Sequence, residues 1–165
     1  MILRKLFLMR HADALEKYDS ITDFERPLSN KGQQQSQMSG TWLAQQNFFF
    51  DKIITSSALR TYQTSLIVAK CTHYHLNKII VYGSLYDSDL MTHINIVEEA
   101  LSQNDTVLMI GHNPVIGEFA SFLTENFRGS FSNGQILGIS LPDNVIHVSS
   151  GIGLEIIENF IPKFK

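Results

Sequence analysis

Three short stretches carry side chains suited to gripping and attacking a phosphoryl group. The first is Arg10-His11, which follows the apolar run Leu3 to Met9. Arginine presents a fixed, permanently charged fork of donors that matches phosphate oxygens. Histidine presents a ring nitrogen that is neutral and nucleophilic near pH 7. A solvated strand end is the other reading of such a pair. The second is Arg60, in Ser56-Ser57-Ala58-Leu59-Arg60 behind the β-branched run Lys52-Ile53-Ile54-Thr55. With Ser57 as N-cap, Arg60 falls in the first helical turn, where a cation opposes the helix dipole. An anion held jointly by Arg60 and the free N–H groups of that turn resolves the conflict. An exposed arginine tolerated at small cost is the alternative. The third is His112 in Gly111-His112-Asn113-Pro114, directly after the apolar run Thr106 to Ile110. A core histidine is the alternative there. Two histidines, each just past an apolar strand and beside a turn, point to one shared pocket.

The surrounding elements must bring these positions together. Strand patterns cover Leu3–Met9, Lys52–Thr55, Ile79–Tyr82 and the run from Thr106. Between them lie helical patterns. One runs from about Ser29 to Gln46 with Met38, Trp42 and Leu43, and a second covers Ala58–Cys71. A third is capped near Thr92 and buries Ile94, Val97 and Leu101. A fourth begins at Pro114, capped by Asn113, and buries Val115, Phe119, Phe122 and Leu123. After the break at Gly129–Gly134, Gln135–Leu141 and Asn144–Ser149 read as late strands joined by a Pro-Asp turn. Gly153–Phe160 reads as another, with partial alternation. This order predicts an α/β fold: a three-layer α/β/α sandwich on a mostly parallel sheet with an antiparallel edge strand. In such sheets ligands sit beyond the carboxyl ends of the strands, which is where Arg10, His11 and His112 fall.

Composition fits one domain over residues 1–165, large enough for a single sizeable core. The hydrophobic share of 44% and the charged share of 18% are those of an ordinary soluble globular protein. A net charge of −3 argues against a nucleic-acid-binding surface. Cys71 is the one cysteine, which rules out an intrachain disulfide and suits a reducing compartment. Met1 to Met9 is interrupted by Arg4-Lys5 and too short to span a membrane. The expectation is a cytoplasmic monomer without membrane association.

Taken in order, Arg10-His11, the segment Ser56-Ser57-Ala58-Leu59-Arg60-Thr61-Tyr62-Gln63-Thr64 and Gly111-His112-Asn113-Pro114 resemble the signature set of the histidine phosphatase superfamily, the phosphoglycerate mutase-like proteins. The short chain, Arg26-Pro27-Leu28-Ser29-Asn30-Lys31-Gly32 and Leu85-Tyr86 resemble its small SixA-like phosphohistidine phosphatase branch. The likeness runs from about Leu6 to Pro114. It implies that His11 is the nucleophile, that Arg10, Arg60 and His112 bind the phosphoryl group, and that Arg26 is a candidate substrate contact. A loop salt bridge is the other reading of Arg26. Many relatives place a glutamate, the proton donor to the leaving group, where this chain has Ser84. Serine holds its proton too tightly to serve as an acid. Nearby Asp87 reads as a turn or capping residue.

Phosphoryl transfer needs in-line attack and neutralisation of three equatorial oxygens. Two arginines and a protonated His112 could supply the charge that other enzymes take from a metal. No cofactor or metal is therefore expected. A phosphohistidine leaving group is easily expelled once protonated, which favours P–N bonds over alkyl phosphates. About ten residues connect the strand at Tyr82 to the helix near Thr92, too few for a lid. The expected substrate is a phosphohistidine-containing protein, such as a phosphotransfer domain, and the expected role is signal transduction. A small-phosphoester phosphatase or mutase and a non-catalytic phosphoprotein-binding module are the competing readings.

Other features call for less. Cys71, His73 and His75 cluster in sequence but lack a fourth metal ligand. Phe48-Phe49-Phe50 suits packing at a helix-to-strand junction. His93 and His147 read as surface or cap residues.

Overall fold

Alternation along the first strand sets the layering. In a strand, successive side chains point to opposite faces. In β1 (Arg4–Arg10), Leu6 and Leu8 enter one core while Phe7 and Met9 enter another, all four fully buried. The computed structural model describes residues 3–142, 147–148 and 153–164. Its further elements are α1 (Asn30–Gln45), β2 (Lys52–Ser56), α2 (Leu59–Cys71), β3 (Ile80–Tyr82), α3 (Leu90–Leu101), β4 (Thr106–Gly111), α4 (Val115–Leu123), β5 (Ile136–Leu141) and β6 (Glu155–Phe160).

The six strands form one sheet in the order β3-β2-β4-β1-β5-β6. β1 to β4 pair in parallel, and β5 runs antiparallel to both β1 and β6. Leu43 of α1 and Val68 and Ala69 of α2 cover the face that carries Phe7, Met9, Leu108 and Ile110. Ile94 and Val97 of α3, with Phe119 and Leu123 of α4, cover the face of Leu6, Leu8, Val107 and Met109. The expected three-layer α/β/α sandwich is present, with its antiparallel pairing at one side of the sheet. Phe48 and Phe50 pack on Phe7 with ring centroids 4.7 and 5.4 Å away and plug the junction, while Phe49 between them is exposed.

Register brings the site residues level. Arg10 of β1 lies opposite Gly111 of β4, and Thr55 of β2 lies opposite Ile110. The carboxyl ends of β1, β2 and β4 are therefore flush, and His11, Ser56 and His112 emerge at one rim.

Several helix starts differ from expectation. α1 begins one residue after Ser29, which caps it by accepting from the Gly32 N–H at 3.0 Å. α2 is capped by Ala58 instead of Ser57, with no side-chain cap bond. The Thr61 hydroxyl instead reaches back to the carbonyls of Ser56 and Ala58. α3 starts earlier than Thr92, because Asp89 accepts from the Thr92 N–H at 2.8 Å and so becomes the cap. At α4, Pro114 occupies the cap position expected of Asn113. The Asn113 amide is spent on Phe131, donating to its carbonyl and accepting from its N–H. Of the strand expected at Asn144–Ser149, residues 144–146 and 149 lie outside the described residues. Among the described residues no helix is long and apolar enough to cross a membrane.

Candidate active site

The strand ends open into a cavity of about 780 Å³ whose walls include Arg10, His11, Arg60 and His112. All four residues expected to share a pocket do share one. Arg26 also borders it.

His11 is oriented by the backbone. Its Nδ1 lies 2.7 Å from the Ala12 carbonyl oxygen. A carbonyl only accepts, so Nδ1 carries the proton and Nε2 keeps its lone pair. Ala12 is held in turn, since its N–H donates to the Thr64 hydroxyl at 3.2 Å. The His11 ring is buried, and burial above all, with His112, Arg60 and Arg10 nearby, depresses its pKa to about 3. It is therefore a neutral base at pH 7.

Arg60 donates its Nε–H to His11 Nε2 across 3.2 Å. It is itself buried, so the exposed-arginine reading fails. The clash with the helix dipole is resolved by an anion of the chain itself. Asp23 accepts from Arg60 through its carbonyl at 2.6 Å and its carboxylate at 3.0 Å. That carboxylate also accepts from Arg26 at 2.9 Å and from the Tyr86 hydroxyl at 3.0 Å. The Arg26 bond, above all, lowers the Asp23 pKa to about 2. Arg26 gives its Nε–H to the Leu15 carbonyl as well, so it behaves as a loop salt bridge standing in the cavity wall. Asp23 was not foreseen. It sits in a polar loop whose sequence carries no periodic signal.

Arg10 donates to the Phe131 carbonyl at 2.9 Å, while its buried Nε has no partner. The Arg10 guanidinium borders the cavity, where its charged fork of donors suits an oxyanion. The His112 ring lies 5.2 Å from that of His11, and its Nε2 is 2.9 Å from the Ser56 hydroxyl. Burial first, and then Arg60, lowers the His112 pKa to about 4. Burial and Arg60 thus work against the protonated His112 expected from the sequence and favour a neutral ring with one N–H to donate.

Ser84 is exposed in a 3-10 turn at Gly83–Leu85 and does not line the cavity; Tyr86, Asp87 and Ser88 do. Asp87 has φ 53°, which fits its reading as a turn residue. His93 is no surface or cap residue. It is buried against Phe119, with Nδ1 3.0 Å from the Asp89 carbonyl, because it lies on the inward stripe of α3 with Val97 and Ala100. His147 is exposed as expected, near Glu98. The Cys71 thiol accepts from Gln37, His73 and His75 are exposed, and no metal-binding trio is grouped among the described residues.

Residues 6–83 match the family model of the histidine phosphatase superfamily (branch 1). The phosphohistidine phosphatase SixA of Escherichia coli is 29% identical over 115 residues, covering 68% of this chain and 70% of that protein. An uncharacterized Picosynechococcus protein is 28% identical over 136 residues, 82% of each chain. Among solved structures, the protein histidine phosphatase SixA complexed with tungstate superposes with a TM-score of 0.81 at 23% identity, covering 95% of this chain and 96% of that one. The mycobacterial glucosyl-3-phosphoglycerate phosphatase does so with a TM-score of 0.71 at 13% identity, covering 94% and 97%. At these identities the two structures speak to the fold.

Proposed function

The chain belongs to the histidine phosphatase superfamily, and from that premise we propose that it removes the phosphoryl group from protein phosphohistidine through a phosphohistidine formed on His11. The observation that carries this reading is the state of His11. Its proton is held on Nδ1 by the Ala12 carbonyl, leaving a neutral Nε2 beside Arg60 in a cavity that also holds Arg10 and His112.

In the first step the Nε2 lone pair attacks phosphorus in line and the substrate P–N bond breaks. A substrate phosphohistidine already protonated on its second ring nitrogen leaves as neutral imidazole, so no acid is needed at Ser84. Arg10, Arg60 and His112 take the charge of the equatorial oxygens. In the second step water attacks the phosphorus, the bond to Nε2 breaks, inorganic phosphate departs and His11 is neutral again.

The substrate reading is supported by the short connection between β3 and α3, which is one 3-10 turn and a few loop residues. Remote binding energy for a small molecule is scarce at such a wall, whereas a partner domain could gain it around the rim. The substrate is then a phosphohistidine-containing protein in the cytoplasm. The deciding assay compares kcat/KM on a phosphohistidine-bearing phosphotransfer-type domain with that on sugar and glycerate phosphates. An advantage of orders of magnitude for the protein substrate is expected. Equal efficiency on a small phosphoester would favour a small-molecule phosphatase, and binding without turnover would favour a recognition module.

A further inference from the structure

We propose that Ser56 is a positioning residue that fixes His112 as its Nδ1–H tautomer, so that a neutral imidazole presents its single N–H to the phosphoryl cavity. Ser56 ends β2 and is fully buried. Its hydroxyl oxygen already accepts from the Ala58 N–H at 3.4 Å. The hydroxyl proton still needs an acceptor, because an unspent buried donor is costly. His112 Nε2, at 2.9 Å, is the acceptor in reach among the described residues. Accepting that proton requires a lone pair on Nε2, which places the ring proton on Nδ1.

Nδ1 is then free for a ligand. His112 borders the cavity, and the buried unpartnered side-chain atoms among the described residues are Arg10 Nε and His93 Nε2. His112 Nδ1 is not one of them, so it is not sealed in the core, and the residue lies on the cavity wall. The low proton affinity of the ring agrees with this, since a neutral ring has one N–H and its direction matters. With Nε2–H instead, the ring would aim a lone pair at the phosphoryl oxygens.

The geometry also explains why two histidines 5.2 Å apart differ in role. Both are Nδ1–H tautomers. The Ala12 carbonyl consumes the N–H of His11 and turns its lone pair to the Arg60 guanidinium, whereas the Ser56 hydroxyl consumes the lone pair of His112 and leaves its N–H for a ligand.

Long-range proton–nitrogen correlation spectra of histidine-labelled full-length protein read the tautomer directly, with His112 assigned by its loss in His112→Gln. The wild type is expected to show His112 protonated on Nδ1. Ser56→Thr should keep that pattern, and Ser56→Ala should move it to Nε2–H or a mixture. Should Ser56→Ala not fold, Ser56→Cys, with its weak donor, should show the mixture. An Nε2–H ring in the wild type, or an unchanged ring in the variant lacking the hydroxyl, would overturn the proposal. A kinetic consequence rests on the phosphatase reading: Ser56→Ala should lower kcat/KM about tenfold, with rescue by threonine. The spectra need no substrate, so a failed tautomer leaves the phosphatase reading intact, and absent turnover leaves the tautomer intact.

Discussion

Arg60 donates its Nε–H to the same nitrogen of His11 that would attack phosphorus, at 3.2 Å. The bond aligns the ring and engages its lone pair at the cavity wall. In the proposed reaction, incoming phosphoryl oxygens would compete for that guanidinium, and transferring its donors to them would free the lone pair for attack. Lysine has a point charge and no fork. Arg60→Lys should therefore lower kcat about 100-fold with the fold retained, the usual worth of one transition-state donor. Steady-state kinetics beside circular dichroism would check it, and near-normal kcat would count against the role of Arg60.

Asp23 tethers the far side of that guanidinium through two hydrogen bonds. Asp23→Ala should loosen Arg60 without removing its charge, so a smaller loss, roughly tenfold in kcat/KM, is expected. In a double variant with Arg60→Lys the two losses should not add. Simple additivity would show that Asp23 acts apart from Arg60.

Acid should weaken the fold before any carboxylate is involved. His11 and His112 have pKa values depressed to about 3 and about 4 from an ordinary 6.5. Between those values the unfolded chain binds protons that the native state refuses, so stability is full above about pH 6.5 and falls as pH drops. Each histidine contributes a slope of up to about 1.4 kcal/mol per pH unit. Asp23, depressed to about 2, adds its loss only below the ordinary carboxylate range near 4. Urea midpoints should fall steadily from pH 6.5 to pH 4.5. A flat profile across that window would mean that the two rings are not held neutral.

The convergence of Arg10, His11, Arg60 and His112 was legible because each follows an apolar strand, and parallel strands release their ends at one rim. A helix beginning near Ser29 was also legible, from its local pattern. What escaped reading was set by contacts distant in sequence. Asp23 meets Arg60 across 37 positions, and Ser56 meets His112 across 56. Neither pairing leaves a periodic trace. His93 did leave one, since it precedes Val97 and Ala100 at helical spacing on the buried side of α3. The cap at Ala58 was missed because neighbouring Ser57 is the better cap type, and the cap at Asp89 because Thr92, three residues on, is also a cap type.

Gly32 shows how tightly the loop beside His11 is fastened. A Cβ there would run into the Asp13 carbonyl oxygen, which is backbone and cannot swing away. Gly32→Ala should therefore destabilise the fold by about 1–3 kcal/mol, despite alanine's better helix propensity. Denaturant unfolding checks this, and a neutral or stabilised variant would contradict the close approach of α1 to that loop.

The central claim is covalent catalysis on His11, and rapid acid-free quenching with labelled phosphohistidine protein tests it most directly. Label should appear on His11 within the first turnover, stable in base and lost in acid, as a phosphoramidate is. Peptide mapping should place it at His11, and His11→Ala should abolish both label and turnover while leaving the circular dichroism unchanged. Turnover near wild type in His11→Ala, or label that maps to His112, would contradict the account.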